Sequence, residues 1–301
     1  MNNLYKEALP YYLTESYIME SNRLLGLSEE SLEAILSNQR TVVEDESLIT
    51  QAVELKELLF VPRKILEDVG AINWQIPEHA PLMPLIVLLA GIKQLQQFYQ
   101  AHQISSDILS DTLGDISRNL MEARIRNGAY RIEPYIYDWL VKHMTNKLFH
   151  LGRLQFEIRC NKKDYPLLRK GDYVLNTHIP SGSRLRHEEA VASYRMAVDL
   201  FNRLTPEITY RGFICESWML SPQLREMLGE ESNLIKFLKD YELYWREESD
   251  SFYPYVFINK PENLQDLSEK TSLQKAIKEH LLKGEKMEDG HGFLAIEKVI
   301  V

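Results

Sequence analysis

Cysteine is almost missing from this 301-residue sequence: Cys160 and Cys215 are its only two, too few for a disulfide framework. No CxxC spacing suggests zinc, and the pair is expected as buried or near-buried thiols in a reducing compartment. A basic excess is also lacking. Lys and Arg number 35 against 44 Asp and Glu, a net charge of -9, which argues against a nonspecific nucleic-acid or anionic-membrane surface. No apolar run reaches the roughly 20 residues of a membrane span. The most apolar stretch, Leu82 to Ile92, contains Pro84 and reads as a buried helix. The opening "MNNLYKEALPYYLTESY" has no basic flank, apolar core or small-residue cleavage site, so the expected location is the cytoplasm. There is no internal repeat, no Walker A or GxGxxG loop, no HExxH and no GxSxG elbow, which removes the motif-defined nucleotide, metalloprotease and hydrolase classes.

What remains is ordinary globular composition, 45% hydrophobic and 10% aromatic, in a chain long enough for two domains. Up to about Thr145 the apolar spacing is helical. Leu85, Leu88, Leu89, Ile92, Leu95 and Tyr99 form one stripe, and Leu109, Leu113, Ile116 and Leu120 another, preceded by Ser105, Ser106 and Asp107 as candidate N-caps. Ile72 to Pro84, with three prolines, reads as a redirecting loop. Near His150 the period becomes alternating. Leu154, Phe156 and Ile158 oppose Arg153, Gln155, Glu157 and Arg159, which predicts a strand with a polar face.

Further strands are expected over Tyr173 to Ile179, Ile208 to Met219, Tyr253 to Ile258 and from His291 to the end. Helices are expected opening with Arg184 and Arg186, after a Ser221–Pro222 cap, through "SNLIKFLKDYELYW", and from Thr271. The expected organisation is a helical domain over residues 1–147 and an α/β or α+β layer over 148–301.

Between the strand ending at Ile179 and the following helix lie Ser181, Gly182, Ser183, Arg184, Leu185 and Arg186. Small residues at a helix N-terminus let a phosphate approach unpaired N–H groups, and the two arginines could neutralise its charge. Glu188 and Glu189 could equally satisfy the helix dipole of a simple turn. His178 on the preceding strand is a candidate acid, base or structural histidine. Glu157 and Glu216 lie within strands, where each is either a general base or one half of a salt bridge, for example with Arg153 or Arg159. His143 and His150 have no accompanying metal-binding spacing, and no metal is expected.

"LGRLQFE" (Leu151 to Glu157), "GDYVLNTHIPSG" (Gly171 to Gly182) and "CESWML" (Cys215 to Leu220) resemble the acyltransferases in which a helical N-terminal domain precedes a GNAT-like C-terminal domain. The resemblance implies an α+β protein with a mixed, mostly antiparallel sheet whose two central strands splay around an acyl-CoA, acetyl-CoA or another. It places the pyrophosphate on Ile179 and the Ser181–Arg186 loop, and makes Glu216, Glu157 and His178 the catalytic candidates for direct transfer to a small-molecule amine. The loop keeps only one glycine of the family's pattern. A catalytically inactive GNAT-like ligand-binding or interaction protein is the alternative. No nucleic acid or membrane partner is implied, and oligomeric state is not specified.

Overall fold

The computed structural model describes residues 9–67 and 69–299. The chain divides into two compact units, Met1–Phe149 and His150–Val301. The first unit is helical: α1 (Glu15–Leu25), α2 (Glu29–Glu44), α3 (Glu46–Leu59), α4 (Met83–Leu89), α5 (Ile92–Ala101), α6 (Ser106–Asn127) and α7 (Pro134–Met144). Thr14, Ser28, Asp45 and Ser105 each accept a first-turn N–H through the side chain, which fixes four of the helix starts. The predicted stripe of α6 is its packed face, with Leu109, Leu113, Ile116 and Leu120 all buried.

The apolar run from Leu82 to Ile92 is two helices rather than one. Gly91 separates them because a Cβ there would stand 2.3 Å from the Phe60 ring, so the chain turns where only glycine admits the aromatic. Across α6 and α7, the buried Asp115 carboxylate accepts from His143 Nε2 at 2.7 Å, Trp139 Nε1 at 2.7 Å and Arg118 Nε at 2.8 Å. Burial pushes that carboxyl up, but these three donors more than offset it and hold it far below the usual range.

The second unit is a six-stranded sheet with helices: β1 (Leu148–Leu151), β2 (Leu154–Cys160), β3 (Tyr173–His178), α8 (His187–Leu204), β4 (Tyr210–Ser217), α9 (Leu224–Met227), α10 (Asn233–Asp240), β5 (Glu242–Glu248), α11 (Tyr253–Val256), α12 (Ser272–Leu282) and β6 (Glu288–Ala295). The strand order is β1-β2-β3-β4-β6-β5. Only β3 and β4 run parallel among the pairings with defined register; β2–β3, β4–β6 and β5–β6 are antiparallel. The fold is therefore α+β with a mixed, mostly antiparallel sheet. On one face Phe156 and Phe213 pack edge to ring on each other and on Tyr194 of α8. On the other, Val174, Ile214 and Phe293 form an apolar cluster with Leu168.

Several local expectations are corrected. Strand β1 has no counterpart in the sequence reading, and α8 begins at His187, after both arginines rather than with them. The run 232–245 is a helix only to Asp240; Glu242–Glu248 then pairs with β6 as an edge strand, and its charged residues need no core because the edge is solvated. Tyr253–Val256 is a helical turn, with Pro254 in its first positions, rather than a strand. Ser221 is not a helix cap: the short α9 begins at Leu224 after Gln223. The Thr271 helix is as expected and carries a full capping box with Gln274. The last strand ends at Ala295 and a 3₁₀ turn follows; the expected continuation through 300–301 lies outside the described residues, as do the first eight residues of the opening segment. Cys215 is buried but Cys160 is exposed at the end of β2.

Candidate functional site

Parallel pairing between β3 and β4 ends at Asn176↔Ile214. Beyond that point Thr177 and His178 stay paired to Phe156 and Gln155 of β2, while Cys215, Glu216 and Ser217 stay paired to Gly292, His291 and Gly290 of β6. Each strand follows its outer neighbour. The parallel ladder opens as a result, leaving backbone groups on both facing edges unpaired by the sheet.

Side-chain alternation places Glu157, Asn176, His178, Arg159, Glu216 and His291 on the same face as the Val174–Ile214–Phe293 cluster. Two carboxylate–histidine pairs thus flank the opening. On the β2–β3 side, the His178 ring places Nε2 3.1 Å from Glu157 Oε1, to which the Asn176 amide donates at 3.0 Å. In the tautomer with a proton on Nε2, the ring donates to that carboxylate and is oriented by it.

On the β4–β6 side, Arg159 donates to Glu216 Oε1 at 2.9 Å, reaching across β3, and His291 approaches the same oxygen with Nδ1 at 3.6 Å and Glu247 with Nε2 at 3.4 Å. His291, with Arg159, holds the Glu216 carboxyl down at about 2 against a smaller effect of burial, and Glu216 in turn raises His291 above its ordinary range. A carboxylate held this acidic is a weak base, so the salt-bridge role is the one its geometry supports. Arg153, a possible partner for a strand carboxylate, instead turns to the loop.

On the opposite face of the sheet, the fully buried hydroxyls of Tyr194 and Tyr241 stand 3.0 Å apart, and burial raises both well above the ordinary tyrosine range. Burial likewise pushes the Cys215 thiol up, which leaves it inert as a nucleophile.

The loop after β3 has Ile179, Ser181 and Leu185 partly exposed, and Gly182, Ser183, Arg184 and Arg186 exposed. Gly182 sits at φ +94, a left-handed turn that glycine adopts without strain. Arg153 organises the segment. Its guanidinium, almost fully buried, donates through Nε to the Arg184 carbonyl at 3.1 Å and through Nη2 to the Ser183 carbonyl at 2.9 Å. The N-terminus of α8 is anchored at both ends of α10: Asn233 Oδ1 accepts the His187 N–H at 3.2 Å, and the His187 ring meets the Asp240 carboxylate at 2.9 Å. The N-cap side chain, Arg186, makes no capping bond, so the next first-turn N–H groups face the loop side without one.

Asn233 and His291 were not singled out by the sequence, and Arg153 only as a salt-bridge partner rather than as a holder of the loop, because their contacts join residues far apart in the chain. Among the described residues no group of three or more His, Cys, Asp and Glu is placed to hold a metal ion, and no helix is long and apolar enough to cross a membrane.

Residues 17–146 match the N-acyltransferase N-terminal domain, and residues 148–294 match the GNAT-like C-terminal domain. No curated protein sequence matches the chain. Among solved structures, an acyltransferase in complex with decanoyl-CoA superposes with a TM-score of 0.78 at 23% identity, covering 92% of this chain and 87% of that one. An acyltransferase mutant with octanoyl-CoA has a TM-score of 0.78 at 23% identity over 93% of this chain and 88% of that one. A complex with decanoyl-CoA and teicoplanin has a TM-score of 0.74 at 24% identity, over 93% and 87% of the two chains.

Proposed function

We propose that this chain, which belongs to the acyltransferases built of an N-acyltransferase N-terminal domain and a GNAT-like C-terminal domain, transfers the acyl group of an acyl-CoA directly to the amine of a small molecule. The observation that carries this reading is the opening of the β3–β4 ladder directly before a loop that ends at the N-terminus of α8. Pantetheine fits between strands whose edges are unpaired. The pyrophosphate falls to the Ile179 and Ser181–Arg186 segment, where Arg184 and Arg186 supply charge and Arg153 keeps the backbone in place. Residues 148–301 carry this site in our reading. The structural neighbours hold octanoyl and decanoyl groups, which favours a medium acyl chain over acetyl. Drawing on an acyl-CoA pool accords with a cytoplasmic location.

His178 is the base of this reaction and Glu157 its orienting carboxylate. The amine nitrogen attacks the thioester carbonyl, and backbone N–H groups on the opened strand edge stabilise the oxyanion. The C–N bond forms, the C–S bond breaks, the amine proton passes to the imidazole, and the thiolate leaves as CoA after taking a proton back. Glu157 stabilises the imidazolium while it exists. Glu216, tied into its ion pairs, shapes the opposite wall instead.

Calorimetry with decanoyl-CoA tests this reading. Wild type should bind, and Arg184→Ala combined with Arg186→Ala should weaken binding about tenfold or more. A wild-type chain that takes up no acyl-CoA would remove the transferase reading and leave the inactive ligand-binding protein, which the single-glycine loop favours.

A further inference from the structure

Gln155 is 2% exposed, yet its amide nitrogen Nε2 has no hydrogen-bond partner. Leaving a buried amide donor without a partner forfeits its hydrogen bond to water with nothing in return, so packing alone would favour an apolar side chain of the same shape. Its position supplies the reason to keep an amide. Gln155 stands directly opposite His178 in the β2–β3 register, which puts their Cβ atoms about 4.5–5.5 Å apart on one face of the sheet. On that face Glu157 Oε1 is engaged by Asn176 and His178. A free donor therefore stands beside the proposed base, on the side away from the β3–β4 opening.

We propose that the Gln155 amide donates to an oxygen of the acceptor molecule and so holds the nitrogen that His178 deprotonates. This rests on the acyl-transfer reading. An NH₂ group offers donors only, so its partner is a hydroxyl, carbonyl or carboxylate oxygen and not a second ammonium. Because Gln155 lies one strand further from β4 than His178, that oxygen belongs to the acceptor rather than to the thioester. The substrate class follows: an amine with an oxygen on the carbon next to the amine-bearing one, as in a 1,2-amino alcohol. As the chain stands the amide is closed to water, and the incoming oxygen fills that place. Gln155 acts as a specificity-determining residue, since a site built to donate to an oxygen discriminates against the analogue that lacks it.

The test compares wild type with Gln155→Met and Gln155→Glu, using decanoyl-CoA with ethanolamine or propylamine, which differ by a hydroxyl in place of a methyl. Wild type should favour ethanolamine by at least about tenfold in kcat/KM, and Gln155→Met should level the two rates. The same Gln155→Met chain should melt at an equal or higher temperature, because it removes an orphan donor. A packing role would give the higher melting temperature with the preference intact. Gln155→Glu exchanges the donor for an acceptor to which the ethanolamine hydroxyl can itself donate, so this variant should keep a preference for ethanolamine that Gln155→Met lacks. The proposal is overturned if wild type shows no preference or acylates neither amine, if Gln155→Met keeps the wild-type ratio, or if it slows both amines equally. Failure of the acyl-transfer reading looks different: decanoyl-CoA would then bind to neither wild type nor variant.

Discussion

His178 on β3 and Glu216 on β4 each stand two residues beyond Asn176 and Ile214, the last positions at which the two strands are paired. The side chains share a face, and each is held by a partner on the neighbouring outer strand: His178 by Glu157 on β2, Glu216 by His291 on β6. The opening therefore has two polar walls of similar chemistry and different tasks. Glu216 is neutralised from two sides, whereas His178 has a carboxylate that orients its ring.

Removing the base should slow chemistry without harming donor binding. His178→Ala is expected to lower kcat about 10²–10⁴-fold while the decanoyl-CoA affinity measured by calorimetry stays within about twofold of wild type. Glu157→Gln keeps the shape but loses the charge, and its kcat should fall by less. Equal kcat in wild type and His178→Ala would assign the proton transfer to another group.

Arg153→Ala should weaken acyl-CoA binding although the side chain reaches only loop carbonyls. The expected loss is about tenfold, and Arg153→Lys should restore little, because one ammonium cannot reproduce the two directed bonds to the Ser183 and Arg184 carbonyls. Combining Arg153→Ala with Arg184→Ala in a double-mutant cycle should reveal coupling, since both act on one segment. Strict additivity would mean that the loop is ordered without Arg153.

The Glu216–His291 pair predicts a particular pH profile of stability. Glu216 is depressed from an ordinary 4.5 to about 2, so its stabilisation is in place above about 4.5 and is lost as pH falls through about 2. His291 is raised above 6.5, so its contribution is complete below 6.5 and is lost as pH rises through its higher folded value. Their joint contribution is greatest between those ordinary values, pH 4.5 to 6.5. Melting temperatures from pH 3 to 9, compared between wild type and Glu216→Gln, should differ most inside that window and less on either side of it, with the Arg159 pair keeping a residual difference at high pH. A constant difference across the range would sink the assignment.

In the helical unit, His143→Ala leaves the buried Asp115 carboxylate without one of its three donors and should cost about 3–5 kcal/mol in urea unfolding. Asp115→Asn combined with His143→Ala should recover part of that loss, because the uncompensated charge is gone. A double variant no more stable than His143→Ala would argue that packing, not charge, sets the cost.

Gly290→Ala should destabilise the site wall for a steric reason: the new Cβ would meet the Leu220 carbonyl oxygen at 2.2 Å. That carbonyl belongs to the turn that ends β4, so the substitution should lower both the melting temperature and the acyl-CoA affinity. Unchanged values of both would show that the turn yields without consequence.

The helices were legible in the sequence wherever local chemistry fixed them, as at the Ser105 cap, the α6 stripe and the Thr271–Gln274 capping box. So were β2 and β3, whose alternation is a property of adjacent residues. Strand β5 was not, because Glu242, Arg246, Glu247 and Glu248 read as a solvated helix face and only pairing with β6 makes them an edge strand. The turn at Tyr253–Val256 was misread in the opposite direction, from an aromatic run typical of strands. At the site, His178 and Glu157 were visible singly, but their contact depends on the Glu157↔Asn176 register between two strands. His291 lies far along the chain from Glu216, and nothing near either residue signals the other.

The two thiols differ so sharply in setting that they give the protein a built-in labelling site. Cys215 is enclosed and held in its unreactive protonated form, whereas Cys160 is open to reagents at one end of β2. A maleimide dye would therefore attach at Cys160 alone. It would sit about 20 Å along the strand from Leu154, the end beside the loop-holding Arg153. Fluorescence from that single position could follow ligand uptake in the native sequence, with no engineered cysteine.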